Sequence, residues 1–321
     1  MKRDFAAVIA VELLVLSAIC VAQKSKSKSE QCSLAVLSNL TPSTQKVCDG
    51  KLVKEMASRG HVFEQNQLGI ASMLAIGPDY SQKEALHWFE RAAVRGYAPA
   101  QVNVAVMYAN GWATPRNYGA ALRWLREAAD QKFARAYYNL GILYMNGGGV
   151  PQDYKEAFAW FEKGAKAGDS SAATNLGYFY DRGLGCDRDA TTAVFWYRKA
   201  ADAGNPLGEN NLADMYMNGE GVPRDDGEAF KWFQKSAADG STDARIRLGY
   251  MYSQGLGATK DLQTAYYWVL SASITGDKRG DELLASLEKQ LTAEQVSAVR
   301  EEIRKGSLIR RAPIAQNTFV Q

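Results

Sequence analysis

The sequence predicts an all-α protein, a right-handed solenoid (superhelix) of αα-hairpins made from 36-residue repeats. Three observations carry this prediction: tryptophan recurs at a constant interval, an aliphatic and a small residue follow each tryptophan at a constant distance, and glycines recur in the loops. A fixed period of this length is typical of repeat proteins, in which each unit packs on its neighbours. Six of the seven tryptophans form the series: Trp88, Trp124, Trp160, Trp196, Trp232 and Trp268.

The second observation concerns the residues that follow each tryptophan. Sixteen residues further on stands an aliphatic residue, and the residue after it is small. A small residue there lets two helix backbones approach closely, so a large side chain at Gly177 is expected to push its helix pair apart. The pairs are Val104 with Ala105, Leu140 with Gly141, Leu176 with Gly177, Leu212 with Ala213, Leu248 with Gly249, and Leu284 with Ala285.

Each repeat has the pattern of two helices. From Ala157 to Ala165, apolar or small residues recur at intervals of three and four, which is one stripe of a helix with about 3.6 residues per turn. Gly168 is placed to end this helix and Asp169 to cap the next one, in which Tyr180 continues the spacing. The loop that follows is rich in glycine, which predicts a turn between the repeats.

A stacked array of this kind is one elongated domain, although a length of 321 residues alone would suggest two domains. After the array, Thr292 and Gln295 form a capping-box pattern ahead of a helix that would close its open end. The predicted divisions are residues 1–22, a signal peptide or membrane anchor; 23–60, a linker and N-terminal segment; 61–290, the solenoid; 291–306, a C-terminal capping helix; and 307–321, a disordered tail.

The N-terminus has the pattern of an export signal. Lys2 and Arg3 precede an apolar run over residues 5–22, and a polar stretch follows. Cleavage after Ala22 is favoured over an uncleaved anchor, because Glu12 inside the run is costly at the centre of a membrane. The expected location is therefore periplasmic or secreted, with membrane anchoring by an uncleaved segment as the alternative.

Export changes how the cysteines are interpreted. Cys32 and Cys48 enclose a loop-like stretch ahead of the repeats, and in an oxidising compartment a disulfide could close it. Two free thiols are the alternative. A lipid anchor on Cys20 is disfavoured, because Ile19 stands where a small residue is wanted.

Two consensus patterns recur through the array: A-x-x-N-L-G-x-x-Y-x-x-G-x-G-V-x-x-D, followed by A-x-x-W-[FY]-x-x-A-A-x-x-G. Through them the chain resembles the Sel-one-like repeat (SLR) family, relatives of the tetratricopeptide repeats, over residues 61–290. Arg247 departs from the pattern, since the other units have asparagine there. With the phase that the family uses, the units span residues 97–132, 133–168, 169–204, 205–240 and 241–276, with a degraded unit before them and a half unit after them.

Composition weighs against nucleic acid and against catalysis. The net charge is +3, but the two ends carry +2 and +3, so residues 31–299 carry −2 and offer no basic face to phosphates. The chain has two histidines and four cysteines, and no metal site or cofactor is expected. Some members of the SLR family are labelled β-lactamase-like, yet the S-x-x-K matches here lack the companion motifs of such enzymes. These matches are Ser25–Lys28, Ser43–Lys46 and Ser286–Lys289.

The resemblance implies that the helix carrying L-G-x-x-Y lines a concave inner face. The inner positions lie three residues before the small residue of each unit, and one, four and five residues after it. Tyrosine, asparagine and methionine with few charges suit contact with a protein or peptide, while core packing is an equally weighted explanation for the tyrosines. The candidate binding residues are Tyr138, Ile142, Met145, Asn146, Thr174, Tyr178, Asp181, Arg182, Asn210, Asp214, Met217, Asn218, Ile246 and Tyr250.

The predicted function is that of an exported, non-enzymatic scaffold or adaptor that binds a protein or peptide on this concave face. The resemblance implies a role in envelope signalling, assembly or host contact. Two alternatives stay open: a β-lactamase-like or cell-wall-peptide-active enzyme, and a structural protein that tethers the envelope. No nucleic acid is expected as a partner, contact with a membrane is expected only through an uncleaved N-terminal segment, and the oligomeric state is left open.

Overall fold

A computed structural model describes residues 50–74 and 81–309. These residues form helices and no strand, which confirms the predicted fold class of an αα-hairpin solenoid. The helices are α1 (Gly50–Ser58), α2 (Val62–Leu74), α3 (Gln82–Ala93), α4 (Ala98–Asn110), α5 (Tyr118–Asp130), α6 (Ala134–Asn146), α7 (Tyr154–Lys166), α8 (Ser170–Arg182), α9 (Ala190–Asp202), α10 (Pro206–Asn218), α11 (Asp226–Ala238), α12 (Thr242–Gln254), α13 (Leu262–Ser273), α14 (Asp281–Glu288) and α15 (Ala293–Ile309).

Two kinds of helix alternate, and each has its own end signals. The A helices (α4, α6, α8, α10 and α12) carry the small residue. The B helices (α3, α5, α7, α9, α11 and α13) carry the tryptophan of the series. B helices begin at a polar side chain that accepts a backbone N–H, as Asp153 does from Lys155 and Glu156 at the start of α7. A helices end at a glycine with positive φ, such as Gly147 at 71°, a conformation that costs glycine little.

The described residues fall into two compact units, with the boundary between residues 172 and 173. In unit 1, up to residue 172, each helix from α1 to α7 packs on the next one. Its core is aliphatic and aromatic, with Phe89, Val104 and Leu140 fully buried. The small residue of the pattern has the predicted purpose, because a Cβ on Gly141 would lie 2.6 Å from Cε1 of the buried Phe161.

Unit 2, residues 173–309, repeats this packing from α9 to α14. A Cβ on Gly177 would lie 2.7 Å from Cδ1 of Tyr197, so the close approach predicted at this glycine is confirmed. At the C-terminal end, α15 packs on α13 and buries Val299 and Ile303 in a separate cluster. The Tyr266 hydroxyl donates to Glu288 at 2.6 Å.

Several predicted boundaries meet the edges of the described residues. Residues 1–22 and the Cys32–Cys48 pair lie outside them. The expected linker 23–60 contains α1, which forms because Ala57 packs fully buried and α1 packs on α2.

The capping box is present, with Thr292 N–H donating to Gln295 at 2.9 Å. The helix it opens continues to Ile309, past the expected end at 306, and residues 310–321 lie outside the description. Within the described ranges, every helix falls short of the length and apolar character needed to cross a bilayer.

Candidate protein-interaction surface

In unit 2, the predicted binding residues come from three A helices, α8, α10 and α12. Together they define what we term the A-helix face. The position after the small residue is the most open, since Tyr178 and Tyr250 are 42% and 44% exposed. Both rings are large and apolar, so their exposure is unfavourable for the isolated chain. The remaining members are buried (Thr174, Asp181, Asn210), half-buried (Asp214, Met217, Ile246) or exposed (Arg182, Asn218).

The corresponding residues of unit 1 lie on α6. Ile142 and Met145 are half-buried and Asn146 is exposed, but Tyr138 is buried. The Tyr138 ring centroid lies 6.1 Å from that of Phe161, and the Arg135 guanidinium lies over the Tyr138 ring at 5.2 Å. Burial raises the pKa of the Tyr138 hydroxyl above its usual range. Of the two interpretations of the tyrosines, core packing therefore holds for Tyr138.

The repeat positions of Tyr138 and Tyr178 differ in exposure because of where the neighbouring helices lie. Thr174 occupies the same place in its repeat as Tyr138, and its Oγ1 lies 3.2 Å from where a Cβ on Gly208 would stand. The first turn of α10 therefore covers this row. Tyr178 lies one turn further along α8, where no such cover is present in the described part of unit 2. Spacing alone does not distinguish the two, since both lie on one helical stripe.

Among the described residues, the charged side chains of the A-helix face form ion pairs, and one of these pairs is weaker than the others. Asp181 is flanked by Arg182 at 3.2 Å and Arg188 at 3.6 Å. Asp243 accepts from Asn210 Nδ2 at 3.0 Å and pairs with Arg279 at 2.7 Å. Each of these carboxylates thus has cationic or donor partners that offset its desolvation.

Asp214 forms the weaker pair, with Arg247 at 3.5 Å. Other repeats have Val106, Ile142, Tyr178 or Tyr250 at this position. Asp214 Oδ1 is buried and accepts no hydrogen bond from the described residues, because Arg247 Nε lies 3.5 Å away. Burial raises the pKa of the Asp214 carboxyl to about 6; Arg247 acts in the opposite direction, and Asp243 adds to the increase.

Arg247, Asp243 and Arg279 belong to this site and were not among the predicted binding residues. The sequence did contain a signal for Arg247. Asp214 and Arg247 both depart from the repeat pattern, in successive units, and their side chains contact each other in the structure. For Asp243 and Arg279 the repeat pattern offers no comparable signal.

One of the three S-x-x-K matches, Ser286–Lys289, lies within the described residues. Ser286 and Lys289 are exposed at α14 and the residue after it, and the Ser286 hydroxyl lies 3.5 Å from Gln290 Nε2. An amide is not a general base, so this contact does not activate the serine. The other two matches lie outside the described residues.

Replacing Asp214 with asparagine is expected to stabilise the protein at neutral pH. The folded-state pKa of about 6 exceeds the ordinary value of 3.8, so the native state binds this proton more tightly than the unfolded state does. The contribution of Asp214 to the free energy of unfolding of wild type is therefore fully present below about pH 4, and it is lost as the pH rises through about 6. Asp214→Asn should exceed wild type by about 2 kcal/mol at about pH 7.5, with no advantage at about pH 4.

Urea unfolding at several pH values measures this difference. Asp239→Asn removes an exposed carboxylate at the end of α11 and serves as the matched control, with no expected change of this size. An advantage of Asp214→Asn that is the same at both pH values would contradict the assignment of the raised pKa to Asp214.

The Sel1 repeat profile matches residues 65–97, 98–133, 134–169, 170–205, 206–241 and 242–274. These matches run without a gap and cover well over half of the chain. The chain belongs to the Sel1 repeat family. The resemblance seen in the sequence is confirmed, and the first match, residues 65–97, covers the unit that was expected to be degraded. Sel1 repeats form a helical scaffold that is generally non-enzymatic and mediates protein–protein interaction.

Two solved structures show the same fold. One is a protective antigen of uropathogenic Escherichia coli with an SLR fold, at 31% identity and a TM-score of 0.64, over 81% of this chain and 56% of that one. This Sel1 repeat protein therefore spans little more than half the length of that antigen. The other is a Sel1 repeat protein from Oxalobacter formigenes, at 28% identity and a TM-score of 0.63, over 71% of this chain and 100% of that one. A comparison with curated proteins finds no match.

Proposed function

We propose that this protein is an exported, non-enzymatic scaffold that binds a protein or peptide partner on the A-helix face of unit 2. The observation that carries the proposal is the exposure of Tyr178 and Tyr250. They belong to the repeats before and after that of Asp214, whose Oδ1 lacks a hydrogen-bond donor. Tyrosine is enriched at protein interfaces because it buries a large rigid area at low cost in conformational entropy. A partner that covers this row would bury both rings.

Export and a role in envelope signalling, assembly or host contact are part of the same proposal. They rest on the basic start and apolar run of the N-terminus, and on the similarity to a protective antigen of uropathogenic Escherichia coli. Cell fractionation with sequencing of the mature N-terminus tests this part. A soluble periplasmic or secreted form that begins near Gln23 is expected, and full-length protein retained in the cytoplasm would refute it.

Partner binding is tested by changing Tyr178, Asp214 and Tyr250 together, the tyrosines to serine and the aspartate to asparagine. Crosslinking in cells followed by mass spectrometry should identify a partner on wild type that the triple variant loses. All three side chains are at least partly exposed, so the variant is expected to fold.

A matched control makes the same kinds of change elsewhere in unit 2: Phe195→Ser, Asp239→Asn and Ile274→Ser. Phe195 and Ile274 are also exposed apolar residues, but they belong to a B helix and to the end of one. Capture of the partner should persist in this control. If the A-helix variant captures the partner as well as wild type does, this face is not the binding surface.

A further inference from the structure

We infer that the A-helix face of unit 2 holds an arginine side chain of its partner, with the guanidinium on Asp214, in the row that also exposes the rings of Tyr178 and Tyr250. This inference rests on the proposed function, since it names the chemistry of the partner for that same surface. Three observations support it: the charge balance around Asp214, an acceptor one turn away that lacks a donor, and the exposed rings in the neighbouring repeats.

The charge balance favours a cation from outside the chain. Asp181 and Asp243 each have an arginine nearby and further donors or cations, whereas the described residues give Asp214 one cation, Arg247 at 3.5 Å, and no hydrogen bond to its Oδ1. About a quarter of the Asp214 side-chain area is exposed although its Oδ1 atom is buried, so a cation from solvent approaches the carboxyl on the exposed side of the group. A desolvated carboxylate that lacks donors gains most from a cation that brings them.

A second acceptor lies one helical turn before Asp214. Asn210 is only 4% exposed, and its Nδ2 donates to Asp243. Because a carboxylate only accepts, this bond fixes the orientation of the amide, and Asn210 Oδ1 is left without a hydrogen-bond donor. Two acceptors without donors one turn apart favour guanidinium, which carries five N–H groups, over ammonium, which carries three.

The exposed tyrosines supply flat surfaces on which a guanidinium can stack. The molecule already uses this contact, since the Arg182 guanidinium lies over the Tyr178 ring at 5.9 Å and the Arg198 guanidinium over the Tyr216 ring at 5.5 Å. Guanidinium is weakly hydrated and stacks on aromatic faces more readily than ammonium. The same row therefore offers both the charge and the rings.

The test begins with a phage library of random short peptides selected on the purified full-length protein and, in parallel, on Asp214→Asn. Peptides selected on wild type should be enriched in arginine at one position, at a fixed distance along the peptide from their apolar residues. This enrichment should be absent from peptides selected on Asp214→Asn. The best wild-type peptide is then synthesised with arginine, lysine or the neutral isostere citrulline. Citrulline at that position should weaken binding by at least about ten-fold, with lysine intermediate.

The pH dependence of binding separates direct contact from a structural role of Asp214. The groups that interact with Asp214 are Arg247 and Asp243 of α12 and Tyr197 of α9, while Lys235 of α11 pairs with Glu209 at 2.8 Å. Since the pKa of Asp214 is about 6, affinity for the arginine peptide should increase about ten-fold from about pH 5 to about pH 8. Asp214→Asn should bind weakly and equally at both pH values, and Asp239→Asn should behave as wild type.

The outcomes distinguish this inference from the proposed function. Peptides that lose binding on Tyr178→Ser with Tyr250→Ser but show no preference for arginine would overturn the inference and leave the binding surface standing. Equal binding of the arginine and citrulline peptides, a lysine peptide as strong as arginine, or no selected peptide on wild type would each overturn it as well. A crosslinked partner lost in the triple variant would still support the surface.

Discussion

Replacement of Gly141 by leucine is expected to destabilise unit 1 by about 3 kcal/mol or more. The first added atom alone would lie 2.6 Å from Phe161 Cε1 and 2.7 Å from its Cδ1, inside van der Waals contact. Phe161 is fully buried, so its ring has no free space into which it can move, and α6 and α7 must separate. Urea unfolding followed by circular dichroism measures the loss.

Gly119→Leu provides the matched control in the same unit. Gly119 lies in the exposed first turn of α5, where the nearest atom to an added Cβ is Asn117 Oδ1 at 3.5 Å, an ordinary contact. Removing a helical glycine there should be neutral or stabilising by up to about 1 kcal/mol. Combining Gly141→Leu with Phe161→Ala should cost less than the sum of the two single changes, because the added volume fills the cavity. Strict additivity would mean that the two residues do not compete for space.

Replacement of Asp169 by alanine is expected to cost about 3 kcal/mol, the second large effect. The nearly buried carboxylate accepts from Ala172 N–H at 2.8 Å at the start of α8 and pairs with Arg135 Nε at 2.8 Å. Alanine removes the cap and also leaves the guanidinium, which is itself mostly buried, without its carboxylate. Both losses appear in the free energy of unfolding measured in urea.

Asp153→Ala separates the two contributions. Asp153 caps α7 in the same way but is exposed, and it accepts only from the N–H groups of Lys155 and Glu156. Its removal should cost about 1 kcal/mol, the value of a cap alone. Asp169→Asn should fall between the two, since asparagine still caps but has no charge for Arg135. Equal costs for Asp169→Ala and Asp153→Ala would show that the ion pair adds nothing.

Much of the local structure was predictable because it depends on nearest neighbours in sequence and in the stack. The tryptophan period, the aspartate caps and the glycine ends each act within a few residues, and the small residue at Gly141 or Gly177 acts between adjacent helices. Those features repeat, so each unit supports the interpretation of the next. The capping box at Thr292 is likewise a contact across a single turn and was correctly predicted.

The candidate site was predictable only as a set of positions. The helical offsets place Tyr138, Tyr178 and Tyr250 on equivalent stripes, but they do not say which ring a neighbouring helix covers. Tyr138 is buried beside Phe161, while the other two are exposed. Likewise, the sequence shows Asp214 and Arg247 only as departures from the repeat, and the distance between them shows that Asp214 is partly compensated.

The amino-acid sequence by itself determined the repeat, its period, its two-helix unit and its family, because these follow from short-range spacing and from end signals that every unit shares. Only the tertiary structure decided which inner residues are accessible and how Asp214 is paired. Exposure and pKa depend on atoms brought together from different helices, and the free energy of burying a carboxylate is set by the distances to those atoms rather than by its place in the repeat.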